Sequence, residues 1–137
     1  MSSAKILVVE DEKDLNDAYK IILTSVGYDV TTALNGQEAL EGIEKDGDPD
    51  LILLDLRMPV VDGIRFLEMY NSPDHLNTSI ILFSNYEAQA EVDKAFRLGI
   101  ERYILKSLAS PSELLRIVAS TLAEKTKGLT RENHLRR

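Results

Sequence analysis

Short apolar runs alternate along the chain with longer stretches in which apolar residues recur at helical spacing. The runs "AKILVV", "DVTTA", "LILL", "SIILF" and "RYIL" predict five strands, each a brief apolar or alternating stretch bounded by polar residues. Five amphipathic segments follow them in turn. Leu15, Ala18, Tyr19, Ile22 and Val26 share one helical face in the first, Ala88, Val92, Ala95 and Phe96 in the fourth, and Leu114, Ile117, Val118 and Leu122 in the fifth. Asn35 with Glu38, and Ser110-Pro111 with Glu113, supply side-chain acceptors for the orphan amides of two helix starts. Gly27, Gly47 and Gly99 stand where helices end.

Repeated strand-then-helix units imply right-handed crossovers and an α/β fold, a doubly wound five-stranded parallel sheet with five helices on its two faces. The near-continuous apolar strands "ILVV", "LILL" and "IILF" suit inner positions that meet helices on both sides, and the more polar "DVTTA" suits an edge. "NSPDHLNT", residues 71–78, reads as a loop between helix and strand, and no linker rich in Gly, Ser or Pro divides the chain. One domain over residues 1–124 is expected, with a basic tail over 125–137 that is exposed or extends the last helix.

A net charge of −7 argues against general affinity for nucleic acid, which needs a basic surface or patch. The tail "KTKGLTRENHLRR" is the exception, but it carries no binding motif and reads as a solvated terminus. Having 0 Cys excludes disulfides, thiolate metal sites and a cysteine nucleophile together. His75 and His134 are far apart in polar surroundings and do not suggest a histidine metal site. The start "MSSAKI" lacks a secretory pattern and no run reaches membrane-spanning length, so a cytoplasmic protein with no membrane role is expected.

Ligands of open parallel sheets bind beyond the carboxyl ends of the strands. The first strand runs into Glu10 and Asp11, the third into Asp55, the fourth into Ser84 and the fifth into Lys106. Three carboxylates, a hydroxyl and an ammonium are therefore expected at one edge. Carboxylates held together repel unless a cation neutralises them, and a hard ion that takes a few carboxylates and keeps its waters, Mg²⁺, suits the set. Asp55 beside such an ion and an ammonium can act as a nucleophile toward phosphorus. Bland readings stay open at this point: Asp11 as a helix cap with Glu10 solvated, Asp55 as a turn acid, Ser84 in a capping box with Glu87, and Lys106 as a surface lysine.

In order, "VVEDE", "LILLDLRMPVVDG", "ILFSN" and "YILKS" make the chain, over roughly residues 4–124, resemble the receiver domain of bacterial two-component response regulators, in particular the chemotaxis-regulator type. The resemblance implies a flavodoxin-like three-layer sandwich with strand order 2-1-3-4-5. It implies that Asp55 accepts a phosphoryl group from a sensor histidine kinase or a histidine phosphotransfer protein. By the same resemblance Asp11 and Asp55 ligate Mg²⁺, Glu10 acts largely through water, and the backbone carbonyl of Arg57 completes the site. Lys106 holds phosphoryl oxygens, and Ser84 and Tyr103 form the switch that reshapes the face of helix four, strand five and helix five for a downstream protein target. Such a module is not an enzyme in the ordinary sense, since slow self-dephosphorylation is its only turnover.

Several residues depart from the family's pattern. Ser107 follows Lys106 where the family has proline, commonly after a cis bond; a cis bond before another residue costs about 3–4 kcal/mol, so a trans bond with a shifted loop, or local strain, is expected. Asn85 stands where a small residue is usual and is expected to narrow access to the phosphoryl pocket. Arg57 and Tyr86 are expected to slow hydrolysis of the acyl phosphate by restricting water. A phosphatase with an aspartyl nucleophile would carry a second acid where Arg57 stands, and a nucleotide or flavin carrier would follow its first strand with glycines in place of "EDEKD". The alternative kept beside the receiver reading is a degenerate receiver that binds partners without phosphorylation. The stretch after the last helix is too short for a helix-turn-helix domain, so either the chain acts alone or it belongs to a longer regulator. Glu101-Arg102 falls where dimerising regulators show two acids, and a monomer or weak dimer is expected.

Overall fold

The computed structural model of the chain describes residues 3–85 and 88–126. Its elements run β1 (Lys5–Val9), α1 (Lys13–Thr24), β2 (Asp29–Ala33), α2 (Gly36–Asp46), β3 (Leu51–Leu54), α3 (Gly63–Tyr70), β4 (Ser79–Ser84), α4 (Gln89–Arg97), β5 (Arg102–Leu105) and α5 (Pro111–Thr126), with short 3₁₀ turns at Ser72–Asp74 and Lys106–Leu108. The five strands form one sheet in the order β2-β1-β3-β4-β5, every neighbouring pair parallel. The doubly wound α/β sandwich expected from the sequence is therefore the fold.

Alternation along the inner strands builds two cores. Leu7, Val9, Ile52, Leu54, Ile80 and Leu82 face one side, where Phe66, Leu67 and Ala95 of α3 and α4 cover them. Ile6, Val8, Leu51, Leu53, Ile81 and Phe83 face the other, against Leu23 of α1 and Leu114 and Val118 of α5. A strand whose successive side chains point to opposite faces must be apolar at every position when both faces are covered, which is why these strands read as unbroken runs. On β2, at the sheet edge, Val30 and Ala33 alone are buried.

The helix ends follow the chemistry of their residues. Asn35 accepts from the Glu38 N–H at 2.9 Å, while Glu38 reaches back to the Leu34 N–H at 3.0 Å. Ser110 accepts from the Glu113 N–H at 3.2 Å. Gly99, at φ 110°, closes α4 with a paired set of bonds, Gly99 N–H to Phe96 O and Ile100 N–H to Ala95 O.

Two predicted core positions turn outward. Val26 lies past the end of α1 and is 54% exposed, because the helix stops at Thr24 and the chain turns through Gly27. Phe96 is 45% exposed. The buried stripe of α4 is centred on Val92 and Ala95, and a step of about 100° per residue carries the next side chain off it. At the other end of the chain, α5 continues past residue 124 to Thr126. The remainder of the basic tail, with His134, lies outside the described residues.

Candidate functional site

Register fixes which residues leave the sheet together. Val9 pairs with Leu54, so Glu10 and Asp55, the next residue in each chain, emerge side by side where the strand order reverses between β1 and β3. The Asp55 N–H donates to Val9 O at 3.0 Å, which continues the ladder one residue past the strands. Glu10, Asp11 and Asp55 can each offer a carboxylate oxygen, and these oxygens lie within 4.8 Å of one another.

Glu10 and Asp55 are each held by their surroundings. Glu10 is only 2% exposed, and its second oxygen accepts from the Glu12 N–H at 3.0 Å. Asp55 is 8% exposed and accepts from the Leu56 N–H at 2.8 Å. The N-cap of α1 is Glu12 and makes no side-chain cap bond, so Asp11 is not the helix cap and Glu10 is not a solvated acid. Gly63 is required just beyond: a Cβ there would come within 2.5 Å of the Asp55 carbonyl oxygen, because the start of α3 crosses the end of β3.

Lys106 reaches into this group from the turn after β5. Its ammonium hydrogen-bonds to Glu10 and lies 3.4 Å from Asp55 Oδ2, with the side chain 9% exposed, so it is no surface lysine. Burial works against the ammonium, but the Glu10 hydrogen bond and the charges of Asp55 and Glu10 outweigh it and hold the Lys106 pKa above its ordinary value. Burial, reinforced by the neighbouring Asp55, also raises the Glu10 carboxyl, against the pull of Lys106 and the Glu12 N–H. The two shifts differ in their main cause, burial for Glu10 and the neighbouring carboxylates for Lys106, but the Asp55 charge contributes to both. The site attracts a cation, and its donors are all oxygens.

The other predicted residues fall around it. Ser84 ends β4 and is buried. It does not cap α4, whose N-cap is Ala88, and Glu87 lies outside the described residues. Tyr103, in β5, is half-buried against the core that includes Leu82 and Ile100. Arg57 follows Asp55 by two positions, and its exposed guanidinium pairs with Glu91 of α4 at 3.7 Å. Tyr86 lies outside the described residues. The Lys106–Ser107 peptide is trans, as expected without proline, since no cis bond occurs among the described residues. The Asn85 side chain turns to the Ser107 N–H, at 2.9 Å.

Sequence reasoning missed Asn16. This buried side chain donates from Nδ2 to Glu10 O and to Ala33 O, each at 3.0 Å, and so ties the loop that carries the acids to β2. The signal was an amide beside the apolar stripe of α1, next to Leu15. His75 belongs to a different place: it pairs with Asp48 at 2.8 Å and stacks on Tyr70, whose hydroxyl also bonds to Asp48. Among the described residues, no helix is long and apolar enough to cross a membrane.

This sheet order is shared by proteins of unrelated function, and comparison with known proteins narrows it to one family. The chain belongs to the response regulator receiver domain family, whose pattern matches residues 6–119. It is 35% identical over 120 residues to the chemotaxis protein CheY of Treponema pallidum, covering 84% of this chain and 81% of that protein. It is 32% identical over 133 residues to the probable transcriptional regulator ycf27 of Porphyridium aerugineum, covering 97% of this chain and 54% of that one. The regulator of RpoS of Escherichia coli is 33% identical over 119 residues, 86% of this chain but 34% of the relative, so the chain spans about half or less of these two longer proteins. Among solved structures, a CheY-like response regulator receiver domain protein from Methanospirillum hungatei superposes with a TM-score of 0.86 at 28% identity, covering 93% of this chain and 99% of the other.

Proposed function

We propose that the chain is the phosphoacceptor module of a two-component signalling pathway, with Asp55 as the accepting residue. The observation that supports this best is the placement of a buried carboxylate, Asp55, 3.4 Å from the Lys106 ammonium and within 4.8 Å of two further acids. In the proposed reaction an Asp55 oxygen bonds to phosphorus as the phosphorus–nitrogen bond to the imidazole of a donor phosphohistidine breaks. The donor is a sensor histidine kinase or a histidine phosphotransfer protein.

The donor set suits Mg²⁺, a hard ion that takes a few carboxylate oxygens and leaves other positions to water and phosphate. Glu10, Asp11, Asp55 and the backbone carbonyl of Arg57 would hold it, and when bound it neutralises charge on the transferred group. Lys106 is positioned to take a phosphoryl oxygen in exchange for part of its present contact with the acids. Ser84 would donate its hydroxyl to another. Tyr103, half-buried on β5, would then settle inward and bias the α4–β5–α5 face between two existing states, favouring the one that a downstream protein binds. Arg102 of that face already spends its charge on Glu124 of α5 at 2.6 Å, which favours a monomer or weak dimer over a tight one. The transfer releases only the dephosphorylated donor, and slow loss of phosphate resets the chain, so it is a switch and not an enzyme with a small-molecule substrate, working in the cytoplasm where such kinases present their phosphohistidine.

The test is intact-protein mass after incubation with acetyl phosphate, with and without Mg²⁺, using Asp55→Asn as control. A gain of one phosphoryl group that needs Mg²⁺ and vanishes in the variant is expected. No gain, or an equal gain in the variant, would overturn the reading and leave a module that binds partners without phosphorylation.

A further inference from the structure

We infer that Asn85 is a positioning residue for Lys106, acting through the backbone of Ser107; the inference rests on the phosphoacceptor reading above. The ladder between β4 and β5 ends at the pair Ser84 and Leu105. Past it the two chains separate, one toward α4 and the other into the turn Lys106–Leu108. Asn85 adds one more rung: its Oδ1 accepts from the Ser107 N–H at 2.9 Å, across 22 positions of sequence. A proline at 107 would have no N–H to give, so this rung is open to this chain because a trans-linked serine stands there.

The rung lies one residue from each of two groups that must meet oxygens of the same phosphoryl group. Lys106 has a long flexible side chain, and its reach is set from both ends. At the ammonium it is held by Glu10 and Asp55. At the backbone it is held by the turn, whose internal bond from Ala109 N–H to Lys106 O is a long 3.3 Å, so the cross-strand bond from Asn85 is the shorter of the two. Once charge moves from the carboxylates toward a phosphoryl group, the ammonium must leave part of its resting contact, and the backbone anchor then decides where it can go. The turn is open to water, with Ser107 exposed and Leu108 75% exposed, so packing contributes little to that anchor. Asn85 also keeps Ser84 and Lys106 in fixed relation, since it joins their next neighbours directly.

The test measures the rate of phosphorylation of the whole chain by acetyl phosphate at saturating Mg²⁺, beside the Mg²⁺ affinity of the unphosphorylated protein by NMR shift titration. Asn85→Leu, close in size but without an acceptor, is expected to slow phosphorylation roughly two- to tenfold, the factor that corresponds to one ordinary net hydrogen bond. Ser107→Pro removes the donor, so in that background Asn85→Leu should cost no further rate. Mg²⁺ affinity should stay unchanged in all three, because in the unphosphorylated protein Glu10 and Asp55 hold the ammonium whether or not the backbone rung is present. A wild-type rate in Asn85→Leu, additive losses in the double variant, or a fall in Mg²⁺ affinity parallel to the rate would each overturn the inference while the phosphoacceptor reading stands. A wild-type chain that takes up no phosphoryl group would overturn both.

Discussion

Lys106 and Glu10, 96 positions apart, share a hydrogen bond between ammonium and buried carboxylate, and the same ammonium lies 3.4 Å from Asp55. Two of the three acids whose oxygens approach within 4.8 Å therefore share one ammonium. The fold holds this arrangement at a cost, and removing a charge should reveal it.

Asp55→Asn deletes one carboxylate and keeps an oxygen for the Leu56 N–H. Without divalent cation the variant should be more stable than the wild type by about 1–2 kcal/mol, the scale of like-charge repulsion at such separations when partly screened. Mg²⁺ should then raise the melting temperature of the wild type and leave that of the variant nearly unchanged. Thermal melts in EDTA and in Mg²⁺ decide it, and equal Mg²⁺ shifts in both proteins would mean that Asp55 holds no metal.

Asn16 should matter more than its place in a helix suggests. Asn16→Ala removes the two side-chain bonds from α1 to Glu10 O and Ala33 O, leaving the backbone bond from Glu10 N–H to Ala33 O, and leaves Glu10 O without that donor in a buried setting. The expected loss is about 1–3 kcal/mol by urea denaturation, with weaker Mg²⁺ binding because the loop bearing Glu10 and Asp11 loosens. An unchanged urea midpoint would show that water replaces the amide freely.

Val60 offers the reverse. It has φ 66°, in the left-handed region where a β-branched side chain is strained, and at 79% exposed it contributes little packing. Val60→Asn should stabilise the chain by about 0.5–1 kcal/mol, since asparagine tolerates that region. A lower urea midpoint would mean that Val60 makes contacts that compensate for its backbone.

At alkaline pH the fold should weaken early. The Lys106 pKa is raised on folding, so the stability it contributes is complete below the ordinary lysine value and is lost as pH rises through its folded value. Burial raises Tyr19 and Tyr28 as well, so the unfolded chain releases those protons first and gains on the native state over the same range. Urea midpoints should fall from about pH 10 upward, and less steeply in Tyr19→Phe. A flat profile to pH 11 in the wild type would contradict these shifts.

Much of this molecule is written in its periodicities. The apolar runs around Ile6–Val9, Leu51–Leu54 and Ile80–Phe83 specify strands covered on both faces, and Asn35, Ser110 and Gly99 mark helix ends, because each acts through bonds within a few residues of itself. Glu10, Asp55 and Lys106 could be placed together for a related reason: parallel strands in register bring their carboxyl ends to one edge, so residues remote in sequence become neighbours by rule. The strand order came from the resemblance, since the apolar pattern does not distinguish one order of inner strands from another. Tertiary structure alone decided the outward turn of Phe96 and Val26, the burial of Asn16, the pairing of Arg57 with Glu91 and the bond from Asn85 to Ser107. These depend on where a helix stops, how it is rotated on the sheet and how two loops separate, and such loop and docking geometry has no period for a sequence to display. It is set by the packing of everything beneath it.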